Sequence, residues 1–148
     1  MTAASDVDLM FIYDAPDGAR VLYLRRGEGL FRRPWGGSAA EERVTELSLD
    51  PDSWSADGRT LVFTAGPNTA RDVGALALDG LTTTPVTSGM FNEIHGQLSP
   101  DGRWLAYTSN EAERRNELYV QSFPAATTKL RVSQQGGDQA RCRQDGKE

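Results

Sequence analysis

Three short apolar runs recur at corresponding places along the chain: residues 21–24 (VLYL), 61–64 (LVFT) and 105–108 (LAYT). Each is too short for a helix. None alternates apolar with polar residues as a half-exposed strand does, so each suits a strand covered on both faces. Every run begins just after an Asp-Gly pair: Asp17-Gly18, Asp57-Gly58 and Asp101-Gly102. The segments WSADGRTLVFTAG (54–66) and LSPDGRWLAYTSN (98–110) align without a gap, 44 residues apart. The segment CRQDGKE (142–148) starts a further copy at the same spacing, and DAPDGARVLYLRR (14–26) is a weaker one. In Ser-Pro-Asp-Gly, Pro100 and Asp101 suit the centre of a type I turn and Gly102 the left-handed residue after it, which joins two antiparallel strands through a bulge. Positive φ is therefore expected at Gly58 and Gly102.

The pattern continues alike in each copy. A polar loop follows the apolar run, then a second strand: 29–33 (GLFRR), 74–78 (GALAL) and 117–122 (ELYVQS). A turn-rich break and a last short strand close the copy, at 43–47, 85–87 and 129–132. With an innermost strand before each Asp-Gly, as in NEIHGQLS (92–99), one period holds four short strands, the size of a propeller blade. Helical repeats need amphipathic runs of ten or more residues; none is present, and 15 Gly and 7 Pro punctuate the chain. A β-sandwich is the structural alternative, but it does not require a fixed period. The expected fold is all-β: a partial β-propeller of about three four-stranded antiparallel blades with a 44-residue repeat. Its blades fall at about 9–47 (degenerate), 50–87 and 93–132, with a fourth beginning at 139–148. The apolar stretch 9–13 (LMFIY) lacks a clear blade of its own, and 139–143 is expected as an inner strand. Equivalent buried positions are expected for Trp54 and Leu98, Phe63 and Tyr107, and Leu76 and Tyr119.

Composition narrows the partners. The chain has 148 residues, a net charge of −5 and 38% hydrophobic residues. An acidic balance argues against nucleic-acid binding, which needs clustered Lys and Arg; Arg25, Arg26, Arg32 and Arg33 read as exposed hairpin positions. With Cys142 the one cysteine and His95 the one histidine, an intrachain disulfide and a Cys/His zinc site are both excluded. No apolar run approaches the roughly 20 residues that span a bilayer, so membrane insertion is not expected, and the N-terminus lacks the pattern of a signal peptide.

The segments WSADGRTLVFT and LSPDGRWLAYTSN…NELYVQSF resemble WD-repeat-like blades of the TolB-type β-propeller family. Residues 91–148 are most similar to the C-terminal propellers of bacterial Ser/Thr protein kinases. The resemblance implies a propeller that recognises ligands on one face of the ring or at its axial mouth, in a family often periplasmic or extracytoplasmic. Ala56 and Gln144 depart from the usual proline, and Cys142 stands where Trp54 and Leu98 do in the other copies. A closed ring takes roughly four to eight blades, so a fragment of a larger sensor or periplasmic protein is expected. Its two uncovered ends invite self-association.

Chemical motifs are sparse. There is no kinase glycine-rich loop, His-Arg-Asp or Asp-Phe-Gly, and no Gly-x-Ser-x-Gly elbow. For His95, the spacing supplies neither an orienting carboxylate nor a nucleophile, so it is expected as a structural or channel-facing polar residue. Asp50, Asp52 and Asp57 fail calcium-loop spacing because Trp54 sits where the third ligand belongs. Trp54, Trp104, Tyr107 and Tyr119 are expected in blade-to-blade packing rather than a stacking platform. The expected function is a non-catalytic scaffold that binds a protein or a small ligand, without cofactor or metal, through Asn92, Glu93, His95 and Gln97. The alternatives are an accessory propeller of a kinase or prolyl-oligopeptidase-type peptidase whose catalytic domain is absent here, and a truncated gene product without independent function.

Overall fold

The computed structural model describes residues 9–14, 18, 20–25, 27–36, 39–47, 49–143 and 145. Among them, strands form three separate four-stranded antiparallel sheets, each a simple meander, and there is no helix. The first sheet is β1 (Leu9–Asp14), β2 (Arg20–Arg25), β3 (Gly29–Pro34) and β4 (Glu42–Thr45). The second is β5 (Asp50–Trp54), β6 (Thr60–Ala65), β7 (Asp72–Ala77) and β8 (Thr82–Pro85). The third is β9 (Glu93–Leu98), β10 (Trp104–Ser109), β11 (Glu117–Ser122) and β12 (Lys129–Arg131). This is a partial propeller, and the first strands of the blades converge: β1 touches β5 and β5 touches β9.

The hairpin between the first two strands of a blade is built from its own side chains. Gly58 N donates to Ser55 O and Gly102 N to Ser99 O, both at 2.9 Å, closing the type I turns. Both glycines sit at φ 69°, the left-handed geometry the bulge requires. The Ser55 and Ser99 hydroxyls donate to Asp57 and Asp101 at 2.5 and 2.6 Å. They also accept from the backbone of Thr60 and Trp104 at 2.9 and 3.0 Å. The two networks match in these bonds, with the Arg103 guanidinium on Asp101 as an addition in the third blade, so Ala56 in place of proline leaves the turn intact: the serine and the aspartate hold it. Asp17, before the first glycine, and residues 146–148 of the expected fourth copy lie outside the described residues.

The continuous apolar runs are strands buried on both faces. Leu61 and Phe63 of β6 face the first blade, in a cluster with Leu22, Leu30, Val44, Leu49, Leu76 and Leu78. Val62, between them, faces the third blade with Val73, Leu98, Leu105, Tyr107 and Tyr119. Tyr23 and Phe31 lie on the opposite face of the first blade from Leu22 and Leu30, and stack with ring centroids 5.8 Å apart. Charge covers them: the Arg25 guanidinium lies 4.5 Å from the Phe31 centroid and pairs with Glu41 at 3.0 Å.

Four expectations are corrected. The stretch at 9–13 is not without a blade: it is β1, paired with β2, with Tyr13 opposite Leu22. Leu76 and Tyr119 are both buried but not equivalent. Tyr107 faces Tyr119 whereas Phe63 faces Gly74, because the β10–β11 loop (110–116) is one residue longer than the β6–β7 loop (66–71). Leu98 is buried, whereas Trp54 is half-buried and Trp104 exposed. Trp104 opens β10 just after the turn. Residues 139–143 form no strand. They lie against the third blade as β9 lies against the second, with Gln139 N on the Thr108 hydroxyl of β10 and Cys142 Sγ on Gln97 O, and residues 146–148, where the strand that would ladder with them begins, lie outside the described residues.

Candidate functional site

The inner strands carry a cleft of about 360 Å³, lined by Asp50, Asp52, Thr64, Arg71, His95, Gln97, Gln139 and Arg141 among others. Two bulges shape it. In β5 the register breaks between Pro51 and Ser53, which leaves Asp52 as the extra residue. In β9 it breaks between the partners of Ala106 and Thr108, at His95 and Gly96. His95 adopts φ 60°, unusual for a residue with a side chain. The conformation is held from the neighbouring blade: His95 N donates to the Thr64 hydroxyl at 3.3 Å. The same device recurs one repeat later, where Gln139 (φ 53°) donates to Thr108.

Asp52 accepts from the Thr64 hydroxyl at 2.6 Å. Its carboxyl is pushed up to about 6, first by burial, against the opposing pull of Thr64, the Gly96 N–H and His95. Asp50 pairs with Arg71. The Gln97 side-chain amide donates to Asp52 O at 2.9 Å, fastening the third blade to the second. Asp138, on the segment leading to Gln139, accepts from Thr108 and lies 2.9 Å from His95 Nδ1.

Of the four residues expected to meet a ligand, His95 and Gln97 line this cleft. Asn92 and Glu93 do not. The Asn92 side chain accepts from Arg71 N at 3.0 Å and its backbone donates to Asn110 at 2.9 Å, a staple between loops. Glu93 lines a different cleft, between the β8–β9 connection and the third blade. The β9 bulge is the reason. Glu93 sits opposite Ser109 and Gln97 opposite Ala106, positions on opposite faces of β10. Without the extra residue, 93, 95 and 97 would share one face. Sequence reasoning missed Asp52, Arg71, Arg141 and Asp138. Of these, Asp138 carried a signal, since it falls two repeats after Asp50.

Asp138 also supplies the carboxylate that spacing did not offer His95. A His–Asp pair orients an imidazole, but nucleophilic catalysis needs a hydroxyl or thiol beside its other nitrogen. The hydroxyl in the cleft, Thr64, is committed to Asp52 as donor and to His95 N as acceptor. Among the described residues, no group of three or more His, Cys, Asp or Glu is placed to hold a metal ion.

Asp52 gives the site a pH signature. Its folded-state value lies above the ordinary 3.8, so the folded state binds the proton more tightly. The resulting destabilisation is absent below about pH 4 and complete above about pH 6. Asp52→Asn is therefore expected to raise stability at pH 7.5 by about 1–3 kcal/mol and to change little at pH 4. Urea midpoints for the variant and the parent at both pH values check this. A variant less stable at pH 7.5 would mean that the bonds to Thr64 and Gly96 outweigh burial.

No family model and no curated protein sequence matches this chain. Solved structures do resemble it. A protein described as a TolB from Agrobacterium tumefaciens superposes with a TM-score of 0.80 at 19% identity, over 94% of this chain and 53% of its own. TolB from Acinetobacter baumannii gives 0.72 at 23% identity, over 89% and 34%. A puromycin-hydrolyzing peptidase from Mycobacterium tuberculosis gives 0.60 at 19% identity, over 81% and 22%. The chain thus spans about half the length of the first and a third of the second. The shared feature is the fold, a TolB-like β-propeller.

Proposed function

We propose that this propeller arc is a non-catalytic binding module whose ligand, a protein segment or a small molecule, engages the cleft on the inner strands. The observation that carries the reading is the convergence of His95, Gln97, Arg141 and the Asp50–Arg71 pair on one cleft whose hydroxyl is tied up in structural bonds. Such a surface offers charge and hydrogen bonds for recognition without a free nucleophile. The test has two arms. A thermal-shift screen of small metabolites and short peptides is expected to give ligands whose stabilisation is lost in Arg141→Glu and His95→Ala. Hydrolysis of p-nitrophenyl acetate or a peptide p-nitroanilide that disappears in His95→Ala would overturn the reading.

A second reading, an accessory propeller of an enzyme, is favoured by the likeness to the peptidase, of which this chain spans only 22%. The similarity of residues 91–148 to kinase-borne propellers belongs with it. In that setting the cleft would present substrates or signals to a catalytic domain on another part of the polypeptide. Co-expression with an adjoining peptidase or kinase domain would then change that enzyme's specificity, an effect sensitive to Arg141→Glu.

A further inference from the structure

The inner-strand cleft holds one unmatched charge. Asp50 is paired with Arg71, Asp52 accepts from Thr64 and the Gly96 N–H, and the His95 ring lies on Asp138. Arg141, on the same lining, has no hydrogen bond, ion pair or ring contact with any described residue. It is exposed, so its N–H donors are open to a solute. Its place is nevertheless fixed from both sides. Two residues earlier Gln139 N donates to the Thr108 hydroxyl at 3.3 Å, and one residue later Cys142 Sγ lies 3.9 Å from Gln97 O. Arg141 is thus held at the cleft by two contacts to the third blade.

A guanidinium presents five N–H donors in a planar fork, and a planar oxyanion bound through two of them is its best match. Water satisfies an exposed Arg, so an empty site carries no penalty. In a concave site whose other charged groups are already partnered, that fork is where an anion gains most. The acids decide which anion. Asp50 is offset by Arg71, while burial pushes the Asp52 carboxyl up to about 6, which leaves it ionised at neutral pH. A second negative charge on the ligand would face Asp52 across the same cleft, whereas a single carboxylate matches the single guanidinium. The cleft volume, about 360 Å³, lies at the small end for ligand sites, which run roughly 300–1,000 Å³.

We propose that the inner-strand cleft takes a small organic monocarboxylate, held through the Arg141 guanidinium beside His95 and Gln97. The inference rests on the binding-module reading and names the ligand class for that site. The test is an NMR titration of the full chain at constant ionic strength with acetate, lactate and N-acetylglycine. Acetamide and lactamide are the uncharged counterparts, inorganic phosphate the second oxyanion and methylammonium the cation. At least one carboxylate is expected to give saturable shifts at Gln97 and Arg141 with a millimolar Kd, and its amide to bind at least tenfold more weakly. Arg141→Gln should weaken the carboxylate at least tenfold and Arg141→Lys severalfold, since an ammonium lacks the fork. Arg131→Gln, on the outermost strand β12, should leave it unchanged. Both Arg141 variants alter an exposed side chain, and spectra that keep the parent's dispersed resonances verify the fold. Unsaturable shifts with all three carboxylates, phosphate binding tighter than each of them, or an unchanged Kd in Arg141→Gln would overturn the proposal. Equal binding of an amide or of methylammonium at the same resonances would overturn the carboxylate and leave the binding module standing, whereas hydrolysis that disappears in His95→Ala would overturn the binding module itself.

Discussion

Leu61→Ala is expected to lower the unfolding free energy by about 2–5 kcal/mol, towards the upper end. Leu61 is fully buried on β6 and faces the core between the first two blades. Its neighbours sit on two different sheets: Leu22 and Leu30 on β2 and β3, Leu76 on β7. Each sheet is held by its own ladder, so neither can close the space left behind, and the residual cavity sets the cost. Leu130→Ala is the control. That side chain is 59% exposed on β12, and its loss should stay within about 0.5 kcal/mol. Urea unfolding followed by tryptophan fluorescence reads both. A loss under about 1 kcal/mol at Leu61, at unchanged m, would mean that the first blade does not pack on the second as described.

Gly29→Ala is expected to cost about 3 kcal/mol or more, well above Gly27→Ala. Both glycines have positive φ, 109° and 78°, so either alanine meets backbone strain. The difference is space. A Cβ on Gly27 would meet nothing within 4 Å, whereas on Gly29 it would lie 2.1 Å from the Thr45 carbonyl oxygen. That obstacle is backbone of β4, the last strand of the first blade, and it cannot rotate aside. Relief requires β3 and β4 to part. Equal midpoints for the two variants would show that β4 is not seated there. Hydrogen exchange would locate the damage, with protection lost at Arg43 and Thr45 and retained in β10.

The blade repeat was readable because its signal is local. Ser99, Asp101 and Gly102 complete the hairpin within a few residues, and the same chemistry at Ser55, Asp57 and Gly58 marks the period. The double-sided burial of β6 and β10 was readable too, since a strand covered on both faces has no polar alternation. Register was less so. The place of Gly74 opposite Phe63, where the third blade has Tyr119 opposite Tyr107, depends on one added loop residue, and the ring fills the space of the missing side chain.

The candidate site divides the same way. His95 and Gln97 were legible as polar residues of an inner strand. Glu93 was sent elsewhere by a bulge that inverts the strand's alternation, and a bulge is set by what the strand packs against; Asn92, just before the strand, is spent on Arg71 and Asn110. Asp138 was placed by the repeat spacing, but its contact with His95 depends on how its segment packs on the third blade. Hairpins, strands and their period were determined by the sequence alone, since they rest on bonds between near neighbours. Which carboxylate meets the histidine was decided by the tertiary structure, because that contact depends on how whole sheets stack.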